Sequence, residues 1–167
     1  RKGYNTIEVA RTSVMPYAIT LRLGAHRLYN LYEVSGFRRN IQNIGAEGTS
    51  RQTVWAVGYG IGWANRLDQR GRQRWHTEIV GTHINRGSGW ESRLNFVLST
   101  RFTYDWGPAN GTHFFIGPVM NLHWTKLSEE ELDNLFVSGW KLFQSEYDEV
   151  KFRGILGIRF GMRIGKN

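Results

Sequence analysis

Val150-Lys151-Phe152-Arg153-Gly154-Ile155-Leu156-Gly157-Ile158-Arg159-Phe160-Gly161-Met162-Arg163-Ile164 alternates between two kinds of side chain. Successive residues of a strand point to opposite faces. Read at period two, one face holds Val150, Phe152, Gly154, Leu156, Ile158, Phe160, Met162 and Ile164. The other holds Lys151, Arg153, Ile155, Gly157, Arg159, Gly161 and Arg163. A helix would mix the two sets around its circumference. The apolar face is about twice the length of an ordinary strand in a water-soluble sheet. Two solutions fit it. One is a sheet packed on a core. The other is a barrel with hydrocarbon outside and polar side chains within.

The totals narrow the choice. The 167 residues are enough for a single domain, 1–167, with a sizeable core. Mean hydropathy is −0.45, and no apolar run is long enough for a membrane helix. That leaves a membrane barrel open, because its strands carry only a weak hydropathy signal. Cysteine is absent, which removes disulfides and thiolate metal sites. Aromatic residues make up 14% of the chain and there are 20 glycines. The formal net charge of +8 fits either nucleic acid or anionic headgroups. The chain opens Arg1-Lys2-Gly3 with no initiator Met and no signal peptide, and so reads as mature or trimmed.

The same alternation recurs along the chain. Strands are expected near 4–11, 17–24 and 26–34, followed by a long polar loop over 35–52. From Thr53 to Leu67, Trp55, Val57, Tyr59, Ile61 and Trp63 oppose a row of Gly58, Gly60, Gly62 and alanines. Such a row leaves room for long side chains from facing strands. Further strands are expected over 74–84, 93–106 and 113–126, although Pro118 removes a ladder donor from the last. Ser128-Glu129-Glu130-Glu131 forms a capping box. Leu132, Leu135, Phe136, Gly139, Trp140 and Phe143 then recur at helical spacing. They predict a short amphipathic helix within the last long loop, 127–149.

Framing favours hydrocarbon. Trp55 and Trp63 bracket one outer face, and Phe114 and Trp124 another. On tilted strands these frames span roughly 20–25 Å, close to the apolar band between aromatic girdles. Short turns (67–73 and 107–111) alternate with longer loops (35–52 and 127–149). The expected lumen-lining set is Arg22, Glu78, Arg101, Asp105, Arg153, Arg159 and Arg163. The expected lipid-facing set is Trp55, Tyr59, Trp63, Phe96, Phe102, Trp106, Phe114, Trp124, Phe152, Ile158 and Phe160.

In these respects the stretch from about Tyr17 to Ile164 resembles the small, eight-stranded outer-membrane β-barrels of Gram-negative bacteria. The resemblance implies an all-β, antiparallel, up-and-down transmembrane barrel in the outer membrane. It would contact lipid and lipopolysaccharide, need no cofactor, and serve a structural or adaptor role. Loops 35–52 and 127–149 would face other envelope proteins. Family members usually end on an aromatic residue, whereas this chain ends Ile164-Gly165-Lys166-Asn167, with Phe160 the nearest aromatic on that face. Six strands is the other even count; eight is preferred because a narrower interior would not hold the arginines.

Candidate chemistry is sparse. His83-Ile84-Asn85 with Glu91 is loosely similar to a segment of outer-membrane lipid A deacylases, in which a His activates a Ser. Here Asn85 takes the Ser position and Ser88 is offset, so a rim loop is the simpler reading. His76 and Glu78 share a face and could pair with each other or with Arg101; a general acid–base pair is one reading, and an interior salt-bridge network is the simpler one. His113 and His123 stand too far apart to share a metal, and no metal is expected. The cations Arg38, Arg39, Arg51, Arg70, Arg72 and Arg74 are dispersed through loops and turns, so no nucleic-acid partner is expected. A narrow anion-leaning pore, a lipid A hydrolase and a soluble barrel for an acidic ligand remain the alternatives.

Overall fold

The computed structural model describes residues 3–12, 16–25, 27–42, 49–86, 94–108, 111–127 and 139–166. Nine strands account for nearly all of them: β1 (Gly3–Thr12), β2 (Ala18–Ala25), β3 (Leu28–Gln42), β4 (Thr49–Arg66), β5 (Gln73–Arg86), β6 (Asn95–Trp106), β7 (Gly111–Thr125), β8 (Trp140–Tyr147) and β9 (Val150–Lys166). Each of β1 to β7 pairs antiparallel with the next, β7 pairs with β9, and β9 pairs with β1. Eight strands therefore close a barrel, and β8 is an extra strand on the edge of β9. Closure leaves no free edge around the ring of eight, which is how an antiparallel sheet avoids templating further pairing.

β9 organises the seam. One edge runs against β7 from Thr125↔Lys151 to Gly111↔Gly165. The other edge is shared: β1 takes residues 159–166 and β8 takes 150–156. β8 thus carries on along β9 from the point where β1 stops. The β8–β9 turn places Asp148 at φ 49° and Glu149 at φ 63°. Two consecutive left-handed residues make the tight hairpin turn whose twist matches the strands.

Two expectations are corrected. The loop expected over 35–52 gives way to strand on both sides: β3 runs to Gln42, β4 starts at Thr49, and the two pair in register from Leu28↔Trp63 to Gln42↔Thr49, while 43–48 lies outside the described residues. Pairing of β2 with β3 ends at Ala18↔Ser35, so the β3–β4 hairpin extends past β2. The helix expected within 127–149 is a strand over 140–147, while 128–138 lies outside the described residues. Among the described residues there is no helix. Pro118 does sit within a barrel strand. The β6–β7 ladder skips it, passing from Arg101↔Val119 to Tyr104↔Ile116, while Pro118↔Ile158 pairing to β9 continues on the other edge.

The β2–β3, β4–β5 and β6–β7 connections share one end of the barrel with Gly3 and Lys166; this is the terminal end. The other connections share the opposite, hairpin end. At the terminal end, the amide of Gln73 donates to Asp68 Oδ1 at 3.0 Å and holds that carboxyl below its ordinary pKa. We predict that Glu149→Gly relieves about 1 kcal/mol of left-handed strain. Amide exchange across β8 should then slow; unchanged exchange would mean that the turn does not limit β8 opening.

Candidate functional site

The barrel interior is the only place where the described residues gather much chemistry, and alternation delivers it. Glu8 lies between Ile7 and Val9 on β1, Arg22 between Leu21 and Leu23 on β2, and Glu33 between Tyr32 and Val34 on β3. In each case the apolar neighbours are exposed and the charged residue is buried. β5 adds His76 and Glu78, β6 adds Arg101 and Asp105, and β9 adds Arg159 and Arg163. Four guanidiniums therefore meet four carboxylates in one enclosed volume.

Glu8 is the hub. Its oxygens accept from Arg163 Nε at 2.6 Å and Arg159 Nη2 at 2.5 Å, and Arg22 Nη2 forms an ion pair with it at 2.6 Å. Glu33 takes the fork of Arg101 in two bonds of 2.8 Å, a third bond from Arg159 at 3.0 Å, and the Thr20 hydroxyl at 2.9 Å. Glu78 accepts from Arg22 Nε and from Tyr29 Oη, both at 2.8 Å. Arg163 also reaches Asp105, with Thr103 Oγ1 accepting from its Nη2 at 3.0 Å, and its guanidinium lies 4.5 Å from the centre of the Phe115 ring. His76 bridges Tyr29 Oη at 2.7 Å and Asp105 at 3.2 Å. Paired, forked contacts of this kind are what a buried ion requires, since an isolated charge would cost several kcal/mol.

β4 contributes space rather than charge. A Cβ built on Gly62 would collide with the Tyr29 ring. The glycine row therefore lets Tyr29 lie flat and bring its hydroxyl to Glu78 and His76. Toward the hairpin end the interior turns apolar, with Val54, Ala56, Ile84, Val97 and Leu127 packed together and Phe37 against them. Asn95 ties this part down, donating to Ile84 O at 3.2 Å and bonding His123 at 2.7 Å.

Of the residues singled out from sequence, Arg22, Glu78, Arg101, Asp105, Arg153, Arg159 and Arg163 are 0–7% exposed. Arg153 stands apart from the network and donates to Gln144 at 3.1 Å. Tyr59, Trp63, Phe102, Trp106, Phe114, Ile158 and Phe160 are exposed on the outer face; Trp55, Phe96, Trp124 and Phe152 are half-buried there. Two ring clusters form on that face: Tyr104, Trp106 and Phe114 at the terminal end, and Phe96, Trp124 and Phe152 at the hairpin end. His83 alternates outward between the buried Thr82 and Ile84, while Ser88 and Glu91 lie outside the described residues. His76 pairs with Asp105 and Tyr29, and Glu78 reaches Arg101 at 4.0 Å. The sequence pattern did not single out Glu8, Glu33 or Tyr29; for Glu8 and Glu33 the flanking apolar residues carry the signal. Among the described residues no cluster of His and carboxylates is arranged to hold a metal.

No protein-family model, curated protein or solved structure matches the chain.

The charge balance is testable. Glu8→Gln leaves three arginines short of a shared counter-ion and should lower stability by about 3–5 kcal/mol in denaturant unfolding. Glu8→Gln combined with Arg159→Gln restores the original net charge of the interior and should recover part of the loss. A double variant weaker by the full sum of the two singles would show that net balance does not matter.

Proposed function

We propose that this chain is an integral outer-membrane β-barrel with a closed interior, serving a structural or adaptor role in the cell envelope. One observation carries the reading. Outward positions 7 and 9 on β1, 17–23 on β2 and its lead-in, 32 and 34 on β3, 55–63 on β4, 75–81 on β5, 96–106 on β6, 114–124 on β7 and 152–164 on β9 include no Asp, Glu, Lys or Arg. That band goes right round the ring. It includes Ile19 at 59% exposure, Ile61 at 56% and Ile164 at 57%. A monomer in water rarely exposes more than a few hundred Å² of contiguous apolar surface. A salt-bridged interior alone fits either solvent. An uncharged belt edged by aromatic clusters, around an ionic centre, favours lipid.

The interior favours a closed barrel over a pore. Arg22 and Arg159 are wholly buried, and Arg22, Arg101, Arg159 and Arg163 are held by Glu8, Glu33, Glu78 and Asp105, so ion pairs fill the centre, with Arg74 and Arg153 buried toward its two ends. The same matching disfavours a soluble binder of acidic ligands, because the chain's own carboxylates fill the place. Structural or adaptor work is what remains for a barrel of this build, with the β3–β4 and β8–β9 hairpins as its projecting parts.

The test is fractionation. The chain should sediment with outer membranes, need detergent for extraction, and migrate differently on gels before and after boiling. Reconstituted barrels should give no steady conductance. Ile158→Arg puts a charge in the belt and should cost about 2–4 kcal/mol in membrane folding. Release into the soluble fraction without detergent would end the membrane reading.

A further inference from the structure

The β4–β5 turn at the terminal end crowds cations in a way that the closed interior does not explain. Residues 66–74 contain Arg66, Arg70, Arg72 and Arg74 against a single carboxylate, Asp68. Arg66, Arg70 and Arg72 are exposed. Asp68 is committed to the turn, accepting from the Gln73 amide. Among the described residues, no carboxylate forms an ion pair with Arg66 or Arg70.

The turn is held in shape. Leu67 N donates to Gln73 O at 3.0 Å, Gly71 N to Asp68 O at 3.2 Å, and Gly107 N to Arg72 O at 3.0 Å. Gly71 has φ +66°, and Arg74 Nη2 donates to its carbonyl at 3.2 Å. A Cβ on Gly71 would lie 3.3 Å from Arg74 Nη2 and 3.8 Å from Arg66 Nε. Arg74 is buried and braces the turn from within. The exposed guanidiniums of Arg66, Arg70 and Arg72 are therefore carried on a fixed scaffold. Arginine forks match phosphate oxygens in bidentate fashion.

Trp63 and Trp75 lie on the outer face just inside this turn, at 49% and 37% exposure. Tryptophans at a membrane boundary sit at headgroup level. We propose that the β4–β5 turn binds the phosphate of an anionic phospholipid headgroup between the exposed guanidiniums of Arg66, Arg70 and Arg72. The proposal rests on the membrane reading. It goes beyond it by assigning a lipid class and a site.

The experiment compares lipids retained by the purified barrel in native mass spectra after extraction from vesicles of phosphatidylcholine, with or without phosphatidylglycerol. The wild-type chain should retain phosphatidylglycerol preferentially. The triple variant Arg66→Gln, Arg70→Gln, Arg72→Gln should retain at least about tenfold less, in line with the contribution of each surface cation. The Arg→Lys triple should keep most of the retention, which separates lost charge from misfolding. Arg11→Gln, exposed on β1 at the hairpin end, should change nothing. Equal retention of both lipids, or undiminished phosphatidylglycerol in the Gln triple, would overturn the site. Binding of inorganic phosphate with no lipid preference would also overturn it, by making the ligand a free anion. Failure to enter either vesicle would instead count against the membrane reading.

Discussion

Glu8 and the arginines around it impose the constraint on which the rest of the barrel depends. Arg22, Arg159 and Arg163 come from strands β2 and β9, and all three converge on one carboxylate of β1. β1 and β9 are the two strands whose pairing closes the barrel. The charged centre is therefore also a clasp across the seam. A guanidinium stays ionised, so each must find an acid or remain in water. Glu33, Glu78 and Asp105 complete the match from β3, β5 and β6. With the charges of mid-barrel drawn inward at alternate positions, the positions between them turn outward and carry mostly Ile, Leu, Val, Phe, Tyr and Trp.

That division has an energetic logic. Burying a salt bridge in place of apolar packing is often neutral for stability, because desolvation offsets the attraction. What the network gives is specificity. A one-residue slip of any strand would put its arginine or glutamate on the outside and its apolar row within. Misregistered barrels are thus penalised twice. The glycines of β4 complete the arrangement, since the Tyr29 ring occupies the place where a side chain on Gly62 would stand.

Much of this was legible in the sequence, and the exceptions have physical causes. Strict alternation in 150–164 and 53–67 marked both faces before any coordinates. Glu8 and Glu33 were overlooked because one acid between two apolar residues looks ordinary in a sequence. The stretch 35–42 looked like a loop because Gly36, Arg38 and Arg39 have no periodic apolar face; pairing with β4, rather than burial, makes it a strand. The helical reading of 140–147 has a more specific origin. An irregularity between Lys141 and Phe143 shifts the phase by one residue. Trp140 and Phe143 then fall on the same face opposite Leu156 and Gly154, at a spacing of three that imitates a helix.

The central claim is that the outer rows meet hydrocarbon while the ionic centre stays sealed. Because the chain has no cysteine, single labels can be placed without background. Spin labels on Phe102→Cys, Ile116→Cys and Ile158→Cys in liposomes test the claim most directly, through their collision rates with oxygen and with a water-soluble nickel chelate. The account predicts strong relaxation by oxygen and weak relaxation by nickel at all three sites. Strong nickel access at these positions, in barrels that remain folded, would contradict it.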